Sequence, residues 1–352
     1  MKKFTIILLI TLISISACQE ILFEDLSSND PQKNLDYLWN QANLKYSFFD
    51  VKGIDWDAIH DEYSGYLFDG ISDDSLFRVL GGMITELRDD HTNLESPLNI
   101  SFYSVRSRHD DNYDDRIVKD NYLPRDFYVS GPFTHDYLLG TNEEIGYIRF
   151  PAFTGIVDEE NLDFILDRYA NTRGLILDLR ENGGGATTDW HHIMERFVDE
   201  KTTLMYSRIK NGPGPDDFTD PEPVEVEPTG TLYVDKPVMF LVDRGTYSAG
   251  SFTSTSTKPL PNVMLVGDTT GGGLGIPNGG QLPNGWMYRF SVSQGFTEAQ
   301  KDMLESGNIA EFNATNYENG VPCDICVSLD RTTLDTDEIL DRAIQEINTI
   351  NP

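Results

Sequence analysis

The sequence predicts an α/β fold with a small helical domain on its N-terminal side. Three observations carry that expectation. GLILDL at 174–179 and VMFLV at 238–242 are wholly apolar runs of strand length. Amphipathic stretches of helical period stand between such runs. Turn-forming, glycine-containing segments follow two of them directly. Strands apolar on both faces suit a largely parallel sheet covered by helices on each side.

Taken in order, residues 1–17 read as a lipoprotein signal peptide. Lys2 and Lys3 precede an apolar run over 4–15, too short to span a bilayer, and Ser16 and Ala17 lead into Cys18. Ile15-Ser16-Ala17-Cys18 resembles a bacterial lipobox, so a lipid on Cys18 is the expected membrane anchor. The expected location is the cell envelope after export. Gln19 lacks the Asp linked to inner-membrane retention in some bacteria, which points to the outer membrane. Residues 18–30 form a tether. A helical N-terminal domain follows over 31–98: Asp30 caps a helix opened by Pro31, with Leu35, Leu38, Trp39, Ala42 and Tyr46 at helical spacing. A second helix starts near Ser72 and buries Leu76, Leu80, Met83, Ile84 and Leu87.

The remainder, 99–352, reads as an α/β domain. Strands are expected at 145–150, 174–179, 238–242 and 263–266. Helices are expected after Asp158, from Thr188 with Trp190, Ile193, Met194 and Phe197, and over 336–347. The acidic, proline-rich stretch 211–230 reads as a surface loop. Residues 101–135 are acidic and poorly periodic.

Charge and cysteines narrow the function classes. Lys plus Arg number 27 against 58 Asp plus Glu, a formal net charge of −31. Such a surface repels phosphate backbones, so nucleic acid is not an expected partner. A preference for cationic substrates, or calcium on the acidic loops, competes with a solvated surface adapted to salt; the last is the favoured reading. Cys18, Cys323 and Cys326 are the cysteines present. In an exported chain the CxxC of Cys323 and Cys326 points to a local disulfide or two bystander thiols rather than a redox site.

Chemistry concentrates in three places. The 238–242 strand runs through a turn to Ser248, followed by Ala249 and Gly250. A strand that aims a hydroxyl at a helix N-terminus, where backbone N–H groups are free, suits a nucleophilic serine. After 174–179, Glu181-Asn182-Gly183-Gly184-Gly185 would let backbone amides face a cleft. The loop lacks the Lys-Ser/Thr of a phosphate loop and does not match GxGxxG. An oxyanion hole shared with the Ala249 amide fits better; a plain tight turn remains open. Ser248 also needs a base. His191 and His192 sit on a helix past the glycine loop, where structural roles are the default. His91, in Asp90-His91-Thr92, reads in isolation as a cation at a helix C-terminus.

Asp90-His91-Thr92, DLRENGGG, TYSAGS with VGDTTGG behind it, and NYENGVPCDI together resemble the carboxy-terminal-processing (tail-specific) serine peptidases. The resemblance covers nearly the whole chain after the signal. It implies a crotonase-like (ClpP/crotonase) α/β core and peptide-bond hydrolysis through an acyl-enzyme, on peptide or unfolded protein substrates, with no metal and no cofactor. One branch of the family activates its serine with a Lys, but here 271–275 reads GGGLG, and Lys258 is too near Ser248 to replace it. The tricorn-like branch uses a His and a Glu. Carry-over therefore implies Ser248 as nucleophile, His91 as base and Glu318 as the group that orients His91. Gly184, with Gly183 or Gly185 as alternatives, pairs with Ala249 as oxyanion donor. Asp90 stands where that branch has a hydroxyl residue, and Glu318 lies one residue closer to Gly320-Val321 than usual. These departures leave a non-catalytic relative that binds peptide or an envelope ligand as the alternative. The span from His91 to Ile145 is too short for the PDZ domain of many relatives. An α/β-hydrolase elbow would need Gly where Thr246 stands.

Overall fold

The computed structural model describes residues 27–351, so the signal peptide and Cys18 lie outside the described residues. Among the described residues, no helix is long and apolar enough to cross a membrane. Asp30 accepts the Lys33 amide at 2.8 Å and opens α1 (Pro31–Lys45). A single helical turn at Phe49–Lys52 and α2 (Trp56–Ser64) follow, and Ser72 caps α3 (Asp73–Thr85). Leu35, Leu38, Leu80, Met83 and Ile84 are fully buried against one another.

That helical core is closed by a distant segment. A three-stranded antiparallel sheet joins β1 (Asn93–Glu95) to β11 (Met287–Ser291) and β10 (Pro277–Gln281). Its Tyr288 and Phe290, with Leu282 and Trp286, bury into the same cluster as the N-terminal helices. The sequence gives little sign of this hairpin, because PNGGQ has almost no apolar side chains with which to mark a strand.

The main sheet has seven strands in the order β13-β9-β8-β5-β4-β3-β2. β4 (Ile145–Arg149), β5 (Gly174–Asp178), β8 (Val238–Val242), β9 (Val263–Gly267) and β13 (Ile325–Cys326) run parallel. β3 (Phe133–Tyr137) and β2 (Tyr128–Ser130) add an antiparallel edge, unmarked by any regular pattern in the sequence. Alternate side chains bury on opposite faces. Leu177, Phe240 and Leu265 meet α4 (Glu159–Arg168) and α5 (Thr187–Met194) through Ile165 and Ile193. Ile176, Met239 and Leu241 meet the last helix (Glu338–Ile350) through Ile339, Leu340 and Ile347. Truncating Phe240, fully buried in this layer, to Ala would cost about 3–5 kcal/mol in lost transfer energy and cavity.

A third sheet, β12-β6-β7, is antiparallel. β6 (Thr202–Ile209) pairs β12 (Ser293–Phe296) and β7 (Glu222–Val226). The stretch expected as a pure surface loop thus contains a strand. Pro223 is tolerated there because β7 is an edge strand with one neighbour. Cys323 and Cys326 form a disulfide at the start of β13.

Candidate active site

The parallel strands β5 and β8 deliver two loops to the same edge of the sheet, where an open α/β sheet places its sites. Buried ion pairing holds the first loop. Arg180, fully buried, donates to Asp178 through Nε at 3.0 Å and Nη2 at 2.6 Å, and to Asp337 through Nη1 at 2.9 Å. Asp243, at the start of the second loop, accepts the amides of Glu181 at 2.8 Å and Gly245 at 3.0 Å. Asn182 clamps the pair: its carbonyl accepts the Tyr247 amide at 2.9 Å, and its side chain donates to the Phe150 carbonyl at 2.9 Å.

Ser248 ends this second loop at φ 54° and ψ −120°. A left-handed φ on a non-glycine residue costs about 1–3 kcal/mol and persists where the surroundings over-determine it. Here the Ser248 amide donates to Gly272 at 3.0 Å, and its carbonyl accepts the Phe252 amide at 2.8 Å inside α6 (Ala249–Ser256). The turn projects Oγ away from the sheet, toward the helical domain.

His91 arrives from that domain. It sits between α3 and β1, and the β1–β11 pairing brings Arg289 to its backbone, where Nε donates to the His91 carbonyl at 2.9 Å. The His91 amide donates to Asp89 at 2.8 Å. The imidazole Nε2 then lies 2.8 Å from Ser248 Oγ, with the Tyr247 ring 5.0 Å away, centroid to centroid. Burial holds the His91 pKa below its ordinary value, with Asp89 opposing and Arg289 reinforcing the shift. The ring is therefore poised in its neutral, basic form.

No carboxylate is hydrogen-bonded to the His91 ring, whose Nδ1 has no partner among the described residues. Glu318 is brought to the site, fully enclosed, but no hydrogen bond joins it to His91. Its Oε1 lies 3.0 Å from Lys52 Nζ, and its Oε2 accepts the Leu274 amide at 2.8 Å. The 3-10 turn Tyr317–Asn319, set by the Asn316 side chain accepting the Glu318 amide at 2.9 Å, aims the carboxylate at Lys52. Burial pushes its pKa up to about 7, against the pull of Lys52. Asp89 is the carboxylate that favours protonated His91 electrostatically. Burial opposes its ionisation, yet Lys52 and His91 hold its pKa below the usual range. Lys52 and Asp89 were missed in the sequence. Lys52 ends a four-residue helical turn with no periodic signal. Asp89, beside the noted Asp90, reads there as an ordinary helix terminus.

The oxyanion donors also need revision. Gly184 presses on Ser248: a Cβ on it would lie 2.6 Å from Ser248 Cβ and 2.7 Å from the Ala249 nitrogen, at φ +89°. Its amide, however, donates to Asn182 Oδ1 at 2.9 Å, so it is not free for a ligand. The amides of Gly183 and Ala249 have no partner among the described residues, and Gly183 lines a cleft of about 370 Å³ with His91, Tyr247 and Gly245. Asp90 borders this cleft; its carboxylate accepts the Val105 amide at 2.9 Å, and burial raises its pKa to about 6. His191, His192 and Lys258 stand elsewhere: the histidines face Glu195, and Lys258 pairs with Asp324. Among the described residues, no group of three or more His, Cys, Asp or Glu could hold a metal ion.

Residues 144–311 match the model of peptidase family S41, and residues 27–85 match that of the tricorn protease C1 domain. A protein of known crystal structure from Parabacteroides merdae, assigned as a peptidase, is 32% identical, with a TM-score of 0.81 over 91% of this chain and 97% of that one. Carboxy-terminal processing protease CtpA of Bacillus subtilis is 28% identical over 158 residues, 44% of this chain and 32% of that protein. The match thus spans about a third of that relative's length. Mature CPAF shares the fold, with a TM-score of 0.64 at 12% identity over 91% of this chain and 97% of that one.

Proposed function

The chain belongs to peptidase family S41, and on that premise we propose that it is a serine endopeptidase working through an acyl-enzyme on Ser248. The observation that carries this reading is the 2.8 Å contact between His91 Nε2 and Ser248 Oγ, made across two segments at a strained turn. His91 takes the hydroxyl proton as Oγ attacks the peptide carbonyl. The oxyanion is received by the amides of Ala249 and Gly183. Asp89 stabilises the imidazolium, which then protonates the leaving amine. Water, deprotonated by His91, attacks the ester, and the returned proton frees Ser248. Lys52, with Glu318 as its ion-pair partner, keeps Asp89 ionised.

Cleavage of peptides or unfolded protein suits the open cleft, and processing of C-terminal tails is the finer assignment its relatives suggest. Export and anchorage in the cell envelope, at the outer membrane, through lipid on Cys18 rest on the N-terminal sequence pattern. The test is covalent: a fluorophosphonate probe should label Ser248 in the wild type and fail on Ser248→Ala. His91→Ala should slow labelling by orders of magnitude while the protein stays folded. Labelling at the wild-type rate without His91 would remove the histidine from the mechanism.

A further inference from the structure

Cations are scarce in this chain, and most of those described are tied to carboxylates. Beside the catalytic cleft, sharing Val105, Arg244 and Tyr247 with it, lies a second cavity of about 340 Å³. Lys52, Arg88, His109 and Arg244 line it, with Glu318 as its acidic group. Lys52 is the cation that Glu318 pairs. Arg88 and Arg244 have no ion-pair partner among the described residues. Arg88 donates to the Lys52 carbonyl, and Arg244 reaches the carbonyls of Thr270 and Asn319, each at 3.0 Å. Carbonyls fix the two guanidinium groups in place but leave their charge uncompensated. Arg244 also stands four residues before Ser248, on the loop that aims the nucleophile.

Resting on the peptidase reading, we infer that this cavity receives a carboxylate of the substrate, an Asp or Glu side chain close to the scissile bond, held by Arg88 and Arg244. A guanidinium is suited to this by its planar array of donors, which matches the two oxygens of a carboxylate. His109 on the cavity wall senses Arg244: after burial, that charge is the next cause holding its pKa down, with Asp268 and Asp110 opposing. The selectivity is opposite to what the net charge of −31 suggests for the surface as a whole. Long acidic tracts are repelled at a distance, whereas a single acidic side chain delivered to the cleft meets cations. The substrate class is therefore a peptide of low overall charge with one acidic residue beside the cleaved bond.

The test uses a positional peptide library in which Glu or Gln occupies each position in turn, with amidated and free C-termini as separate arms. Binding is measured on Ser248→Ala, and kcat/KM on the wild type. At one position near the cleaved bond, Glu should bind about 10-fold or more tighter than Gln, as a charge-assisted contact does. The gain should fall toward unity in Arg88→Gln and in Arg244→Gln; thermal melts report whether each variant is folded, and Arg88, being exposed, serves if Arg244→Gln is not. Equal binding of Glu and Gln peptides would overturn the inference, as would a gain that survives both substitutions. A gain confined to free C-termini would overturn it too, by assigning the carboxylate to the chain end. Absence of any cleavage by the wild type contradicts the peptidase reading instead, and the binding comparison on Ser248→Ala still decides this one.

Discussion

Replacing Lys52 with Met removes the cation that faces two enclosed carboxylates. Its Nζ lies 3.0 Å from Glu318 and 4.0 Å from Asp89, and the three side chains are 4%, 1% and 0% exposed. Deleting one partner of a buried ion pair typically costs about 3–5 kcal/mol, because the remaining charge is left without compensation. Glu318 can relieve part of this by taking up a proton, since its pKa already stands at about 7. The expected cost at pH 8 is therefore toward the lower end, about 3 kcal/mol, or roughly 4–5 °C in Tm for a chain of this size. Denaturant unfolding of Lys52→Met, Glu318→Gln and the double variant closes a cycle. Because the double variant buries neither that cation nor that carboxylate, a coupling of about 2 kcal/mol should appear. The deficit of Lys52→Met should also shrink between pH 8 and pH 5, as Glu318 protonates. A cost below about 1 kcal/mol with no coupling would refute the claim that Lys52 compensates these carboxylates.

Gly184→Ala should lose most activity, because its Cβ would meet Ser248 Cβ and the Tyr247 carbonyl at 2.6 Å where φ is +89°; unchanged kcat would contradict the close packing of the two loops. Stability should fall as pH rises on account of Glu318. Its folded pKa of about 7 exceeds the ordinary 4.5, so its contribution is complete below pH 4.5 and lost as pH climbs through 7. Melting curves from pH 4.5 to 8 should show that decline in the wild type and a shallower one in Glu318→Gln. The acid limb of kcat/KM should titrate below the ordinary histidine value of 6.5, since burial disfavours the imidazolium; a limb above 6.5 would be evidence against His91 as the buried base.

What the sequence reveals divides along physical lines. The strands β4, β5, β8 and β9 announce themselves because burial on both faces demands unbroken apolar runs, and the caps Asp30, Ser72 and Asp158 mark helix starts. The strand, turn and helix N-terminus around Ser248 are legible for a related reason: all are local. Edge strands such as β7 and β10 carry Pro and Gly and need only backbone pairing, so composition hides them. The contact of Lys52 with Glu318 joins segments far apart in the chain, and no spacing rule encodes it. The same holds for Asp89 beside His91: it and Asp90 are one residue type on adjacent positions, distinguished only by which way the turn directs each side chain. The Gly184 amide likewise could not be told from its neighbours until the Asn182 side chain was seen to occupy it.

The most direct test of the central claim is mass spectrometry of a diverse peptide mixture incubated with the protein, wild type beside Ser248→Ala. New peptide termini should appear with the wild type and none with Ser248→Ala. No cleavage by folded wild type, or the same cleavages by both, would contradict it.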